Sequence, residues 1–222
     1  MTYTYDYPHP AVTTDIVIFT IRQDELKILL IKRALQPHKG EWALPGGFIM
    51  LEESLEEGAR RELEEETGVK NVYLEQLYTF GQPDRDPRER VITVAFYALI
   101  PSDEIEITAA TDAEGVSWFG MKEVPELAFD HENILTMANE RLTAKLTYST
   151  IAFQFMPTQF TLSELQHVYE VILREPLDKR NFRKRILSLN LIKDIGKERK
   201  TGAHRPAKLF RAKNPKRIDF IK

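Results

Sequence analysis

The chain has 222 residues, 42% of them hydrophobic and 29% charged, and no cysteine. That is enough for one large soluble domain or two modest ones, and it excludes disulfides, thiolate chemistry and Cys-ligated zinc. The net charge of −3 hides an asymmetry: residues 157–222 carry 17 Lys+Arg and 7 Asp+Glu, a net of +10, which leaves −13 for residues 1–156.

The opening MTYTYDYPHP has no basic n-region and no apolar h-region, so no signal peptide is expected. Apolar runs such as Val94 to Ile100 are too short to span a bilayer, so no membrane partner is expected. The absence of cysteine suits a cytoplasmic protein. Asp15 to Thr20 and Leu26 to Lys32 flank a polar turn, Arg22-Gln23-Asp24-Glu25, and read as a hairpin. Pro45-Gly46-Gly47 is a breaker. A helix follows, with Ser54 as N-cap, Glu57 three residues on to complete a capping box, and Gly68 as the stop. Strands are expected at Val72 to Thr79, Val91 to Ile100 and Gly115 to Phe119, and a second helix from after Asp130 to about Lys145. This order argues for a layered α/β domain.

Phe153 to Pro157 reads as a connector, which places the domains at 1–150 and 151–222. Helical patterns at Leu162 to Leu173 and Lys179 to Leu189 flank a turn, Arg174 to Asp178. A strand pattern at Leu191 to Ile195, a polar loop from Gly196 to Pro206 and a return strand from Ala207 to Arg211 complete the segment. Helix, turn, helix, then a hairpin with a basic tip is the order of a winged helix-turn-helix.

The first helix is strongly acidic. With Glu62 as origin at about 100° per residue, Glu66 falls at about +40° and Glu65 at about −60°. Three carboxylates in one wedge repel unless a cation sits among them, and oxygen ligands select a hard cation such as Mg²⁺ or Mn²⁺. A glutamate-rich solvated face is the alternative, and Glu52, Glu56, Glu57 and Glu64 show that the stretch is acidic all round. The fixed spacing decides between them. Gly47 to Val69 fits G-x5-E-x7-R-E-U-x-E-E-x-G-U, where U is aliphatic, at Gly47, Glu53, Arg61, Glu62, Leu63, Glu65, Glu66, Gly68 and Val69.

That run resembles the Nudix box, the signature of hydrolases that cleave nucleoside diphosphates linked to another group. The resemblance implies a Nudix α/β/α sandwich with a mixed sheet. It implies that Glu62, Glu65 and Glu66 hold Mg²⁺ or Mn²⁺ and that Gly46 and Gly47 bring backbone to the metal or diphosphate. It implies too that Arg61 pairs with Glu53 to fix the helix against its preceding loop. Glu114 stands where some members place a catalytic glutamate; a solvated loop acid is the other reading. The stretch Gly81 to Val91, with Pro83 14 residues past Val69, is similar to the segment that marks ADP-ribose pyrophosphatases. Arg85, Arg88 and Arg90 are either phosphate or ribose contacts or a loop self-paired with Asp84, Asp86 and Glu89. Trp42, Phe80 and Phe129 read as core rather than adenine-stacking residues.

In the basic segment, Phe182, Ile186 and Leu189 give the second helix its buried face, and Lys179, Arg180, Arg183, Lys184 and Arg185 spread over the rest. Asn181 sits near the helix start, where such modules present base-reading residues. The wing would add Lys197, Arg199, Lys200, His204 and Arg205 as phosphate contacts. A winged helix used for protein contact is the alternative. The two halves together resemble Nudix-related transcriptional regulators, on Phe160 to Gln166, Asp178 to Arg183 and Arg205-Pro206-Ala207. That resemblance implies a homodimer on a palindromic double-stranded DNA operator, often of genes for NAD synthesis, with ADP-ribose, a related nucleotide or a sugar as effector. Two readings are therefore expected: a Mg²⁺-dependent hydrolase cutting ADP-ribose to AMP and ribose 5-phosphate that, through its DNA-binding domain, also regulates transcription of NAD metabolism, or a non-catalytic repressor that uses the Nudix domain to sense ADP-ribose or a sugar.

Overall fold

The computed structural model describes residues 6–101, 113–200, 206–215 and 217–221. The start of the chain, Asp112, His204 and Arg205 lie outside the described residues, as does the side chain of Glu114.

β1 (Ala11–Arg22) and β2 (Glu25–Arg33) form the expected hairpin. Gln23 and Asp24 alone connect them, both in left-handed backbone (φ 53° and 61°), as a tight two-residue hairpin turn requires. β5 (Tyr73–Phe80), β6 (Val91–Ile100) and β7 (Ala113–Gly120) match the expected strands to within two residues. β3 (Trp42–Ala43) and β4 (Gly46–Phe48) are too short to show an alternating pattern in sequence, and only the structure reveals them. The seven strands make one mixed sheet, in the order β3-β2-β1-β6-β5, with β4 on β1 and β7 on β2. Ile16 to Phe19 of β1 and Ala95 to Ile100 of β6 are almost wholly buried. A strand buried at every residue is covered on both faces, so this is the α/β fold that the element order implied.

α1 (Leu55–Thr67) carries its caps as the sequence indicates. The Ser54 side chain accepts from Glu57 N–H while the Glu57 carboxylate accepts from Ser54 N–H. Gly68 closes the helix at φ 74°, where a Cβ would be strained. α1 packs against β4, the strand that carries Gly46 and Gly47. α2 (His131–Tyr148) starts where expected and ends three residues later than about Lys145. A 3-10 helix (Ile151–Phe155) occupies the expected connector, with Ile151, Ala152 and Phe155 buried. Its apolar residues follow neither a strand nor an α-helix period, which is why the sequence read as a linker there.

The C-terminal segment holds β8 (Phe160–Thr161), α3 (Leu162–Leu173), α4 (Lys179–Ser188), β9 (Ile192–Arg199) and β10 (Ala207–Ala212). Its sheet runs β8-β10-β9. β9 continues through Gly196 (φ 69°) to Arg199, well into the expected loop, and a register shift between Lys208 and Phe210 absorbs the irregularity. Leu165, Val168, Tyr169 and Ile172 of α3 are buried, as are Phe182 and Ile186 of α4. Tyr169 meets Phe182 edge-on at 5.3 Å.

The turn between these helices is fixed by polar bonds. Arg174 ends α3 in left-handed backbone (φ 59°). The Glu170 carboxylate accepts from Leu177 N–H (2.9 Å) and from Gln166 Nε2 (2.8 Å), and Gln166 also donates to Leu177 O (2.9 Å). Asp178 caps α4 by accepting from Asn181 N–H at 2.8 Å.

By density of contacts the chain divides into Met1–Phe19, Lys27–Ala98 and Glu106–Ala138 in one unit, and Thr20–Leu26, Leu99–Ile105 and Asn139–Lys222 in the other. The hairpin tip and the second half of α2 thus group with the C-terminal segment. Removing the turn clamp with Glu170→Ala leaves Leu177 N–H without its partner. The expected cost is about 1–2 kcal/mol, measured as a lower urea midpoint at unchanged m-value.

Candidate functional site

A cavity of about 310 Å³ opens in the first unit. β1 supplies Thr13 and Asp15, β2 Ile31 and Arg33, and β4 with its approach Leu44, Gly46, Gly47 and Phe48. Glu62 and Glu66 come from α1, Arg85, Asp86 and Arg88 from the loop before β6, and Phe129 and His131 from the start of α2.

The acidic wedge is split. Glu62 and Glu66 face the cavity, whereas Glu65 is 57% exposed and turned to Arg61. Burial raises the Glu62 carboxyl above the usual range, against the pull of Arg61. Burial, then the charges of Glu62 and Asp15, push Glu66 up to about 8, although Gly46 N–H donates to it at 2.7 Å. A Cβ at Gly47 would run into the Glu62 carboxylate, so a side chain there would force that carboxylate to move.

Arg61 organises the acids. Its Nε and Nη2 form a fork on Glu53 (3.0 and 2.7 Å), Nη1 donates to Glu62 (2.6 Å) and Glu65 (3.1 Å), and Nη2 also reaches Phe48 O (3.1 Å). The Arg61 hydrogen bonds, then the backbone N–H of Met50, hold the Glu53 carboxyl down at about 2. No group of three acidic or imidazole side chains among the described residues converges on one point as a ready metal cage. The donors present still fit a hard divalent cation: Glu62 and Glu66 are cavity-facing carboxylates whose pKa values are raised chiefly by burial, a cost that a bound cation would offset.

The remaining expected ligand contacts separate. Arg85 is buried and held by Asp130 (2.6 and 3.1 Å) and Asp15 (3.2 Å). Arg88 is self-paired with Asp86 at 2.7 Å and still lines the cavity. Pro83 and Arg90 are exposed and line no part of it. Trp42 packs edge-on against Phe119 and Phe80 against Tyr78, away from the cavity. Phe129 packs against the buried Ile31, Ala43 and Ala128, as the core reading expects, and also lines the cavity, in left-handed backbone at φ 55°. Sequence reasoning also missed Arg33, Asp15 and His131, which belong to no local motif. His131 is buried, and its Nδ1 accepts from Leu44 N–H at 2.9 Å. The proton of the neutral ring is therefore on Nε2, 3.4 Å from Asp15. Burial lowers the His131 pKa and keeps the ring neutral.

In the second unit, Lys179, Arg180, Asn181, Arg183 and Lys184 are all exposed along α4. Lys179 and Arg180 occupy the first helical turn, where cations oppose the helix dipole. The arrangement costs stability and concentrates positive potential at the helix start, which suits a phosphate backbone. Lys197 and Lys200 are exposed on the wing side. Arg199 is instead tied to Glu164 (2.7 Å) and Gln159 O (3.2 Å), and Arg185 to Thr147 O (3.1 Å).

An α/β unit with an acid-and-arginine cavity and a helix-turn-helix with a basic second helix define a ligand-binding protein that carries a nucleic-acid-binding module. Comparison with known proteins gives the same two parts. The NUDIX domain model matches residues 11–138, and the NrtR DNA-binding winged helix domain model matches residues 152–212. An ADPR responsive transcriptional repressor of Acinetobacter baylyi is 40% identical over 93% of this chain and 83% of its own. An ADP-ribose pyrophosphatase of Methanocaldococcus jannaschii is 43% identical over 58% of this chain and 73% of its own. The crystal structure of Shewanella oneidensis NrtR complexed with a 27mer DNA superposes with a TM-score of 0.82 at 40% identity, over 92% of this chain and 94% of that one. The chain belongs to the Nudix family, in the group that joins a Nudix domain to an NrtR winged helix.

The raised pKa of Glu66 has a thermodynamic consequence. Between the usual value of 4.5 and about 8 the folded chain retains a proton that the unfolded chain has released, so this group makes stability fall as pH rises across that window. Glu66→Gln removes the effect. In EDTA the variant should melt higher than the parent at pH 8, and the difference should shrink towards pH 5. Equal melting temperatures across that range would contradict the assigned burial.

Proposed function

We propose that the chain is an ADP-ribose-responsive DNA-binding regulator whose Nudix pocket also retains the means to hydrolyse its ligand. The observation that carries this reading is the likeness to the A. baylyi repressor, which runs through both modules rather than through the Nudix part alone. We place the domain boundary at 150/151, within the interval that the two family matches, at 11–138 and 152–212, leave between them, although residues 139–150 group with the C-terminal segment. The regulator acts in the cytoplasm, as a homodimer on a palindromic duplex.

Hydrolysis has its own support in the complete box and in the 43% identity to an ADP-ribose pyrophosphatase. Glu62 and Glu66, with Glu65 and the backbone of Gly46, would hold Mg²⁺ or Mn²⁺. Such a cation polarises a diphosphate and lowers the pKa of the attacking water. Glu53 fixes Arg61, and Arg61 sets the orientation of Glu62 and Glu65. Gly47 lets the β4 backbone lie against the Glu62 carboxylate. The products would be AMP and ribose 5-phosphate.

On DNA, Lys179, Arg180, Arg183 and Lys184 would contact phosphates, Asn181 a base edge, and Lys200 and Arg205 the flanking backbone. Arg85 belongs to the walls of the pocket rather than to its free cations, and Pro83 and Arg90 would contact ligand only outside the cavity.

Two measurements test the halves. Purified protein should release AMP from ADP-ribose with Mg²⁺, and Glu65→Gln or Glu66→Gln should lower the rate by at least about 100-fold, on the scale of one lost electrostatic stabiliser. Absence of turnover on a panel of nucleoside diphosphate derivatives would remove hydrolysis from the account. A palindromic duplex from beside the chain's own gene should be retarded, and Arg183→Ala should reduce the slope of log affinity against log salt by about one contact. Salt-independent binding would contradict the phosphate contacts.

A further inference from the structure

α2 contains no glycine or proline between His131 and Tyr148. Ile134, Ala138, Leu142 and Leu146 recur every fourth residue and are all buried, so one face is packed along the whole helix. A helix of this kind has none of the usual causes of a kink and moves as one piece. Its first residue, His131, lines the cavity and accepts from Leu44 N–H at 2.9 Å, and the preceding Asp130 is held by the Arg85 fork.

The last carbonyls of a helix find no partner within it. In α2 the Ser149 hydroxyl donates back to Lys145 O at 2.7 Å. Thr147 O and Tyr148 O are met from much later in the chain. Arg185 Nη2 donates to Thr147 O at 3.1 Å, and Ile221 N–H donates to Tyr148 O at 2.7 Å. Thr150 N–H donates to Asp219 O (3.0 Å) and Asp219 N–H to the Thr150 hydroxyl (2.9 Å), which fixes the residues just past the helix. A guanidinium at Thr147 also meets the negative end of the helix dipole.

Arg185 belongs to α4, the helix with the basic face. It stands two residues from Arg183, about 200° further round the helix, so the two arginines point to nearly opposite sides. Arg183 is exposed beside Arg180 and Lys184, whereas Arg185 is turned to the end of α2. The adjacent Ile186 and, one turn earlier, Phe182 are buried, which fixes the rotation of α4 about its axis.

We propose that Arg185 is a positioning residue rather than a DNA contact: it ties the recognition helix to the C-terminal end of α2, so that a ligand bound at the start of α2 changes how α4 is held. The proposal rests on the ADP-ribose-responsive reading and names the bond through which the response passes. Two arginines of one helix then have separate tasks: Arg183 meets phosphate, and Arg185 carries the signal.

Fluorescence anisotropy on a palindromic duplex from beside the chain's own gene, in EDTA with and without saturating ADP-ribose, tests it. The parent and Arg183→Ala should each lose at least about fivefold in DNA affinity when ADP-ribose is added, and Arg185→Ala less than about twofold. Without ligand, the slope of log affinity against log salt should fall by about one contact in Arg183→Ala and keep the parent value in Arg185→Ala. Isothermal titration should give Arg185→Ala the parent's affinity for ADP-ribose, because Arg185 lines no part of the cavity. Arg185 is exposed, so its alanine variant should melt with the parent. Arg185→Lys, which keeps a donor cation at the end of α2, should retain more of the response than Arg185→Ala. A reduced salt slope in Arg185→Ala would make the residue a phosphate contact and overturn the proposal. An ADP-ribose response in Arg185→Ala equal to the parent's would also overturn it and leave the regulator reading intact. A parent whose DNA affinity ignores ADP-ribose would overturn both.

Discussion

The guanidinium of Arg61 is the interaction on which the first unit's site depends. It forks onto Glu53, reaches Glu62 and Glu65, and binds the carbonyl of Phe48. One cation therefore joins the loop before α1, the strand β4 and two acids of the helix. Without it, carboxylates three and four residues apart would repel, and the polar tie of α1 to β4 would fall to the hydrogen bond from Gly46 N–H to Glu66. The nearly complete hydrogen-bonding of Arg61 makes it structural as well as electrostatic, since removing it would leave several partly buried acids without a counter-charge.

The cavity is built on the residual imbalance. Arg61 relieves Glu62 in part, while burial, then the charges of Glu62 and Asp15, hold the Glu66 pKa high against the hydrogen bond from Gly46 N–H. Of the three arginines that line the same cavity, Arg33 has no ion pair among the described residues, whereas Arg85 and Arg88 do. Unmatched acids and unmatched bases lining one volume suit a ligand that arrives as a diphosphate with a cation. An uncharged sugar would satisfy neither, so the pocket favours a nucleotide over a sugar as effector.

Much of this was legible in the sequence because it is local. The box places Glu53, Arg61, Glu62, Glu65 and Glu66 within one loop and helix, and the capping box and Gly68 fix where that helix begins and ends. The order of α3, α4, β9 and β10 is equally local, and the helices fall where their apolar spacing put them. What sequence reasoning missed is non-local or short. Asp15, Arg33, Phe129 and His131 meet only because β1, β2 and the start of α2 are brought together, and no spacing connects them. Arg85 read as a ligand contact because its partners, Asp15 and Asp130, are 70 and 45 residues away. The split of the acidic wedge, with Glu65 on Arg61, follows from an i, i+4 pair that helical angles alone do not weigh against cavity burial.

A regulator requires its ligand and its DNA to be coupled, and coupling is reciprocal: a ligand that weakens DNA binding is itself bound less tightly by the DNA complex. The most direct test is DNA affinity measured by fluorescence anisotropy with and without saturating ADP-ribose, in EDTA so that no ligand is consumed. The account predicts a fall in DNA affinity of at least about fivefold, the lower end of ordinary allosteric coupling. DNA affinity that stays the same at saturating ADP-ribose would contradict it.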